Sequence, residues 1–354
     1  MDFSARLISW QKKHGRHNLP WQQNRGPYAI WLSEIMLQQT QVATVIPYYL
    51  RFLARFPNIS SLAQATEDEV LSLWSGLGYY SRARNLHLAA QIMLKRHNGE
   101  FPNAFEQILA LPGIGRSTAA AICSFAFGQR HAILDGNVKR VLARYGGING
   151  HPGDKPVADK LWQQAEALLP QGEIEAYTQG LMDLGSRVCT RSRPVCTACP
   201  VMAECVAHQA GRVAELPTPR PKKVLPEKHT AMWLLIHNGE VFLEKRPAPG
   251  IWGGLWSLPE GDPEADAERD IMSRYGVMVK SRQPLPPLEH GFSHYKLCIA
   301  PLLLHVGRVA PQASQAARMW IDLEDAQGAA LPAPVKKLLT LATEDLHGQR
   351  PVSD

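Results

Sequence analysis

Through residue 210 the apolar positions recur three or four apart, the period of a helix with one buried face. "AIWLSEIMLQQ", "DEVLSLWSGLG", "ADKLWQQAEALL" and "IEAYTQGLMDLG" all carry it. In the third, Leu161, Ala165, Leu168 and Leu169 share a face with charges opposite. Gly and Pro punctuate the breaks, and no stretch alternates as a strand would. The pattern predicts an all-α domain.

Residues 211–228 lose that period. Pro217, Pro219, Pro221 and Pro226 forbid a continuous helix and favour an extended, basic spacer. Beyond it the period changes. "TAMWLLIH" and "EVFLEKR" read as two strands joined at Asn238-Gly239, residues that both accept the positive φ of a tight hairpin. "EADAERDIMSRYG" predicts a helix, "YKLCIAPLLLHV" a strand and "PAPVKKLLTLATE" a last helix. This is a small α+β domain.

Composition narrows the picture modestly. The 354 residues suffice for two domains, with 45% hydrophobic and 20% charged positions, as in soluble globular proteins. Lys and Arg exceed Asp and Glu by 38 to 32, a balance compatible with a polyanionic partner. "MDFSARLISWQKKHGRHNLPW" holds no apolar run of signal-peptide or membrane-span length, so a cytoplasmic, membrane-free protein is expected. In that compartment six cysteines are not expected to form structural disulfides.

Four of them cluster. Cys189, Cys196, Cys199 and Cys205 stand at x6, x2 and x5 spacing, short enough to wrap one centre. Spacing alone leaves two candidates, a structural zinc ion and a four-iron cluster. Arg191 and Arg193 fall on the loop that such a centre would close, where guanidinium groups suit phosphate contact or are ordinary surface charge. Cys123 and Cys298 stand alone and read as small apolar residues.

The stretch "LPGIGRSTAA" is a Gly-x-Gly turn between the helical patterns "FEQILA" and "STAAAICSFAFG". It lacks the Lys of a Walker loop and the third glycine of a dinucleotide fingerprint. What remains is a helix–hairpin–helix whose Gly113 and Gly115 amides, at a helix N-terminus, suit one backbone phosphate of DNA. Asp135 follows in "ILDGNVKR", either a plain N-cap or a functional carboxylate. Glu34 lies among Trp31, Leu32, Ile35, Met36 and Leu37. A carboxyl there has a raised pKa and suits a general acid, unless it lies on the wet face of its helix.

These motifs, in this order, resemble the endonuclease III superfamily of DNA base-excision glycosylases over roughly residues 1–210. The resemblance implies a [4Fe–4S] cluster on the four cysteines, and a working role for Asp135. It divides residues 1–210 into a six-helix module, about 20–130, and an iron–sulfur module from 1–19 and 131–210. Strand-cutting members carry a lysine just after the hairpin. Here that position is Ser117, which cannot form the imine of a bifunctional glycosylase/lyase acting on oxidised pyrimidines, the alternative reading. Glu34 within "SEIMLQQTQV" resembles the catalytic segment of the MutY-type adenine glycosylase branch.

The remainder, 229–354, is similar to a Nudix domain, in "PGIWGGLWSLPEG" and the following "ERDIMSRYG". In the hydrolytic box, two glutamates hold Mg²⁺. Here Ser273 and Arg274 stand at those places, which implies a fold retained and hydrolysis lost. "HGFSHYK" resembles the branch's 8-oxoguanine-reading loop, with Phe292, Ser293 and His294. The resemblance further implies that Gln39 and Tyr79 fill the gap left by a flipped base, with Thr40, Leu77 and Ser293 around the oxidised guanine. Gln179 would contact adenine and Asn137 would orient water or the acids. Lys139 could trap an abasic aldehyde. The expected partner is duplex DNA with an A:8-oxoguanine or A:G mispair, bound by a monomer in the nucleoid-containing cytoplasm.

Overall fold

A computed structural model describes residues 2–220, 224–248, 250–307 and 317–348. The chain forms two compact units, Met1–Gln64 with Asn85–Lys222, and Ala65–Arg84 with Lys223–Asp354.

The first unit is helical. Its Pro27–Leu37 helix has Pro at the first turn and buries Ala29, Ile30, Trp31, Leu32, Ser33, Ile35 and Met36. A helix apolar nearly all round must be covered on most sides, and the Arg116–Phe127 helix covers part of it. That second helix is lined with small residues, Ala119, Ala120, Ala121 and Cys123 among them, so the two can approach closely. It ends at Gly128, in the left-handed conformation that glycine adopts without penalty. The Phe3–His14 helix packs along Ile174–Asp183. Leu7, Leu134, Val138, Leu142, Leu161, Tyr177 and Leu184 form the core between these helices and Gly136–Tyr145.

The spacer is not free chain throughout. Leu216 is buried and its carbonyl accepts from Arg144 Nε at 2.8 Å, while Thr218 Oγ1 accepts from Gly150 N at 3.1 Å. The prolines stop helix formation, but one apolar side chain in their midst is enough to dock the extended segment. Pro221 lies outside the described residues.

Among the described residues the second unit is built on an eight-stranded sheet. Its strands are β1 (Glu227–His237), β2 (Glu240–Lys245), β3 (Trp256–Ser257), β4 (Glu260–Gly261), β5 (Val279–Pro284), β6 (Leu288–Gly291), β7 (Lys296–Val306) and β8 (Arg318–Asp322). The spatial order is β3-β2-β1-β7-β5, with β4 on β1, β6 on β7 and β8 on β2. β1 and β2 form the expected hairpin, with Asn238 and Gly239 both at positive φ. β1 and β7 run parallel, and the six-residue buried run in β1 reads as a continuous apolar stretch for that reason. The Ala267–Tyr275 helix closes one face of the sheet through Ile271 and Tyr275.

Candidate functional site

Glu34 is the one charged residue on the apolar Pro27–Leu37 helix. It lines a cavity of about 400 Å³ in the helical unit, together with Arg16, His17, Trp21, Ser33 and Gln179. It is half-buried by area because it faces that cavity. Burial, with the nearby charge of Asp135 second, pushes its pKa from 4.5 up to about 8. A carboxyl of that strength is mostly protonated at neutral pH and can donate its proton.

Asp135 is the N-cap of the Gly136–Tyr145 helix, and its Oδ1 accepts from Val138 N at 2.8 Å. The cap and the functional reading coincide: one oxygen holds the helix while the group stays near enough to Glu34 to raise its pKa. Ser117 Oγ accepts from Leu134 N at 3.0 Å, tying the hairpin's second helix to the segment leading into Asp135. Asn137 Oδ1 accepts from Arg140 Nη2 at 2.7 Å, so that oxygen is already engaged. Gly185 lets the chain pass close to Asn137, since a Cβ there would sit 2.6 Å from Asn137 Cβ.

At the hairpin, Gly113 has φ +79° and a Cβ there would meet Asn85 Cβ at 2.9 Å, so no other residue fits comfortably. Gly115 caps the Arg116–Phe127 helix with open space beside it. Gln38 Nε2 reaches both Gly113 O and Thr118 Oγ1 at 3.4 Å, bringing the loop of Gln39 and Thr40 to the hairpin. Gln39 is exposed at φ 56°.

Cys189, Cys196, Cys199 and Cys205 line one cavity with Val188, Val201 and Arg144. None of the four is in a disulfide. Four thiols around one cavity supply the ligand count of a [4Fe–4S] cluster, and a four-thiolate zinc ion would use the same set. Buried Arg144 donates to Cys189 Sγ at 3.3 Å and Thr190 O at 2.7 Å. Arg140 adds Cys189 O at 2.8 Å and Gly185 O at 2.7 Å. Arg140 thereby connects the cysteine loop to Asn137, two residues from Asp135. Arg191 and Arg193 themselves are exposed on the loop.

Gln179 is buried in the cavity wall, and its Nε2 donates to Asp183 Oδ1 at 2.9 Å. Asp183 is fully buried and also accepts from Arg16 N at 2.8 Å and Arg16 Nε at 2.6 Å. Sequence reasoning missed both Asp183 and Arg16. The available signal was an aspartate on the apolar face of "GLMDLG", which needs a cation once buried.

The second unit holds another cavity, about 500 Å³, lined by Leu77, Tyr79, Trp252, His290, Phe292, Ser293 and His294 among others. Five residues singled out from sequence thus converge there. Tyr79 is half-exposed at φ 49° and Trp252 stands at φ 57°, conformations costly for aromatic residues. Arg82 holds the Tyr79 loop in place, donating to Leu77 O and Gly78 O at 3.3 and 3.1 Å. Phe292 lies against Trp252 and Tyr295, with centroids at 5.2 and 4.7 Å. Sequence reasoning passed over Trp252 and His290. At the Nudix box, Arg274 donates to Glu260 O at 2.5 Å and approaches Glu244 at 3.5 Å. A fixed guanidinium thus stands among the acids.

A family model described as HhH-GPD superfamily base excision DNA repair protein matches residues 32–167, the stretch holding Glu34, the hairpin and Asp135. A NUDIX domain model matches residues 231–341. The chain is therefore a helix–hairpin–helix base-excision repair protein with an appended Nudix domain. A thermostable thymine-DNA glycosylase of known structure shares the helical fold, at TM-score 0.53 and 28% identity over 59% of this chain and 95% of that one. Over nearly the full length the chain is similar to proteins named adenine DNA glycosylase. Adenine DNA glycosylase from Buchnera aphidicola of Acyrthosiphon pisum is 39% identical, covering 95% of this chain and 96% of its own. That of Rattus norvegicus is 33% identical, covering 98% and 79%. This chain belongs to the adenine DNA glycosylase family.

Proposed function

We propose that this protein is a DNA N-glycosylase that removes adenine opposite 8-oxoguanine or guanine, without cutting the strand. One observation carries the reading: a carboxyl with its pKa pushed to about 8 faces a cavity near a second carboxyl. The family's name supports adenine as the base.

The target base lies within a duplex, so it must be turned out into the cavity, at a cost of about a few kcal/mol. Gln39 fills the gap left behind. Neutral Glu34 donates its proton to N7 of adenine, making the base a better leaving group. The sugar then develops positive charge, and Asp135 stabilises it or bonds to it transiently. This is the division of labour between two carboxyls in glycoside cleavage. The bond from C1′ to the base breaks and the base leaves with the Glu34 proton; water then adds at C1′, displacing Asp135 if it has bonded there, and gives its proton to the Glu34 carboxylate, which restores the acid. Asn137, its Oδ1 held by Arg140, orients water or the acids. Gln179 has its amide N–H₂ committed to Asp183, which leaves its carbonyl to accept from the adenine amino group.

Ser117 offers no amine, so the sugar is not captured as an imine and base release ends the reaction. Lys139, four residues after Asp135, is able at most to trap an abasic aldehyde. The Gly113 and Gly115 amides hold one backbone phosphate, and Arg191 and Arg193 add others. Leu77, Phe292, Ser293 and His294, which line the cavity of the second unit, receive the oxidised guanine. The four cysteines hold a [4Fe–4S] cluster, which supplies a rigid cross-link for the loop that carries Arg191 and Arg193. The acting species is a monomer, in the cytoplasm with the chromosome.

Single-turnover base release from an A:8-oxoguanine duplex, beside A:G and thymine glycol duplexes, tests the reading. Excision of adenine alone, leaving an intact abasic strand, is expected. Preference for thymine glycol with efficient strand cleavage overturns it.

A further inference from the structure

We propose that Glu227, His229 and Cys298 form a Zn²⁺ site at the exposed start of β1 and β7, on the sheet face that the Ala267–Tyr275 helix covers further along the strands. Across the parallel β1–β7 ladder His229 stands beside Cys298, and Glu227 beside Lys296. Alternate residues of a strand share a face, so Glu227, His229 and Cys298 project together. The flanking Leu297 and Ile299 are buried in the core, which turns Cys298 to the opposite face. The three ligand atoms lie within 4.8 Å of one another, the one such group of His, Cys, Asp and Glu among the described residues.

A thiolate, an imidazole and a carboxylate are the donor set of zinc rather than of calcium or magnesium. Bonds of about 2.0–2.3 Å place the ligand atoms of a zinc tetrahedron roughly 3.3–3.8 Å apart. Side-chain rotation suffices to close that gap, because the strands already fix the three Cα positions. Water fills the fourth position. Thiolate and carboxylate together balance the ion's charge, and the Cys298 thiol proton passes to solvent on binding.

Lys296 is the competitor. Its Nζ lies 3.4 Å from Glu227 Oε1 and 2.7 Å from Glu289 Oε1. Glu289 stands beside Cys298 on β6, so Lys296 keeps the closer partner when Glu227 turns to the metal. The zinc staples the start of β1 to the start of β7. Residues 227–229 are exposed and have no core of their own to hold them there.

The full-length protein, its four-cysteine site loaded with iron, is incubated with zinc chloride, dialysed and assayed for both metals. Wild type is expected to retain one zinc per chain with its iron unchanged. His229→Ala and Cys298→Ser are expected to lose at least tenfold in zinc affinity at unchanged iron. Zinc is expected to raise the melting midpoint of wild type and not of the two ligand variants. No zinc in wild type, or equal zinc in wild type and Cys298→Ser, overturns the site. Zinc that rises as iron falls, equally in every variant, also overturns it. None of these outcomes depends on base excision.

Discussion

Glu34→Gln should abolish excision and, at the same time, stabilise the protein increasingly as pH rises. The folded pKa of Glu34 is about 8 against an ordinary 4.5. A group whose folded pKa is raised contributes stability fully below its unfolded pKa and loses it as pH climbs through the folded one. Each pH unit across that window is worth about 1.4 kcal/mol. The wild type is thus expected to lose about 2–4 kcal/mol between pH 5 and pH 8 relative to a non-titrating glutamine, the lower figure allowing for water in the cavity. Denaturant unfolding of both proteins at pH 5, 6, 7 and 8 measures the gap. Single-turnover excision measures the other side: a loss of about 10²–10⁴-fold in the variant. The wild-type rate should also fall about tenfold per pH unit above pH 8. Affinity for an uncleaved duplex should be retained. A stability gap constant to within about 0.5 kcal/mol, the scatter of ordinary surface substitutions, would show that Glu34 titrates normally. Near-wild-type excision by Glu34→Gln would remove it from the chemistry.

Asp135→Asn keeps an N-cap oxygen, so melting should barely change while excision disappears; parallel losses of both would reduce Asp135 to a cap. Asp183→Ala leaves Arg16 without its buried partner and should cost about 3–5 kcal/mol in unfolding free energy, checked by denaturant titration. Phe292→Ala should lower excision opposite 8-oxoguanine by about tenfold, one stacked ring's worth. It should leave A:G excision near wild type, which competition between the two duplexes will show. With Arg274 placed among Glu244 and Glu260, the full chain should hydrolyse no nucleoside triphosphate in Mg²⁺; measurable phosphate or pyrophosphate release contradicts the broken box.

Local chemistry is what the sequence expressed well. Helical periodicity, the Asn238-Gly239 hairpin, the glycine turn, the cysteine spacing and the cap at Asp135 each depend on residues a few positions apart. The apolar neighbours of Glu34 announced a shifted carboxyl for the same reason. Pairs far apart in the chain were silent. Asp183 reaches Arg16 across 167 positions, and nothing in either segment names the other. Arg144 bridges the cysteine loop and the docked Leu216, a role that looks like ordinary positive charge in the sequence. The segment Ala65–Arg84 reads as one more amphipathic helix and loop, yet it packs as part of the sheet-bearing unit. That grouping brings Leu77 and Tyr79 to Phe292, more than 200 positions away. Periodicity states which face of an element is buried, because the helix and strand repeats are fixed by the backbone. Which element covers that face is decided by packing among many apolar surfaces at once, and only the tertiary structure resolves it.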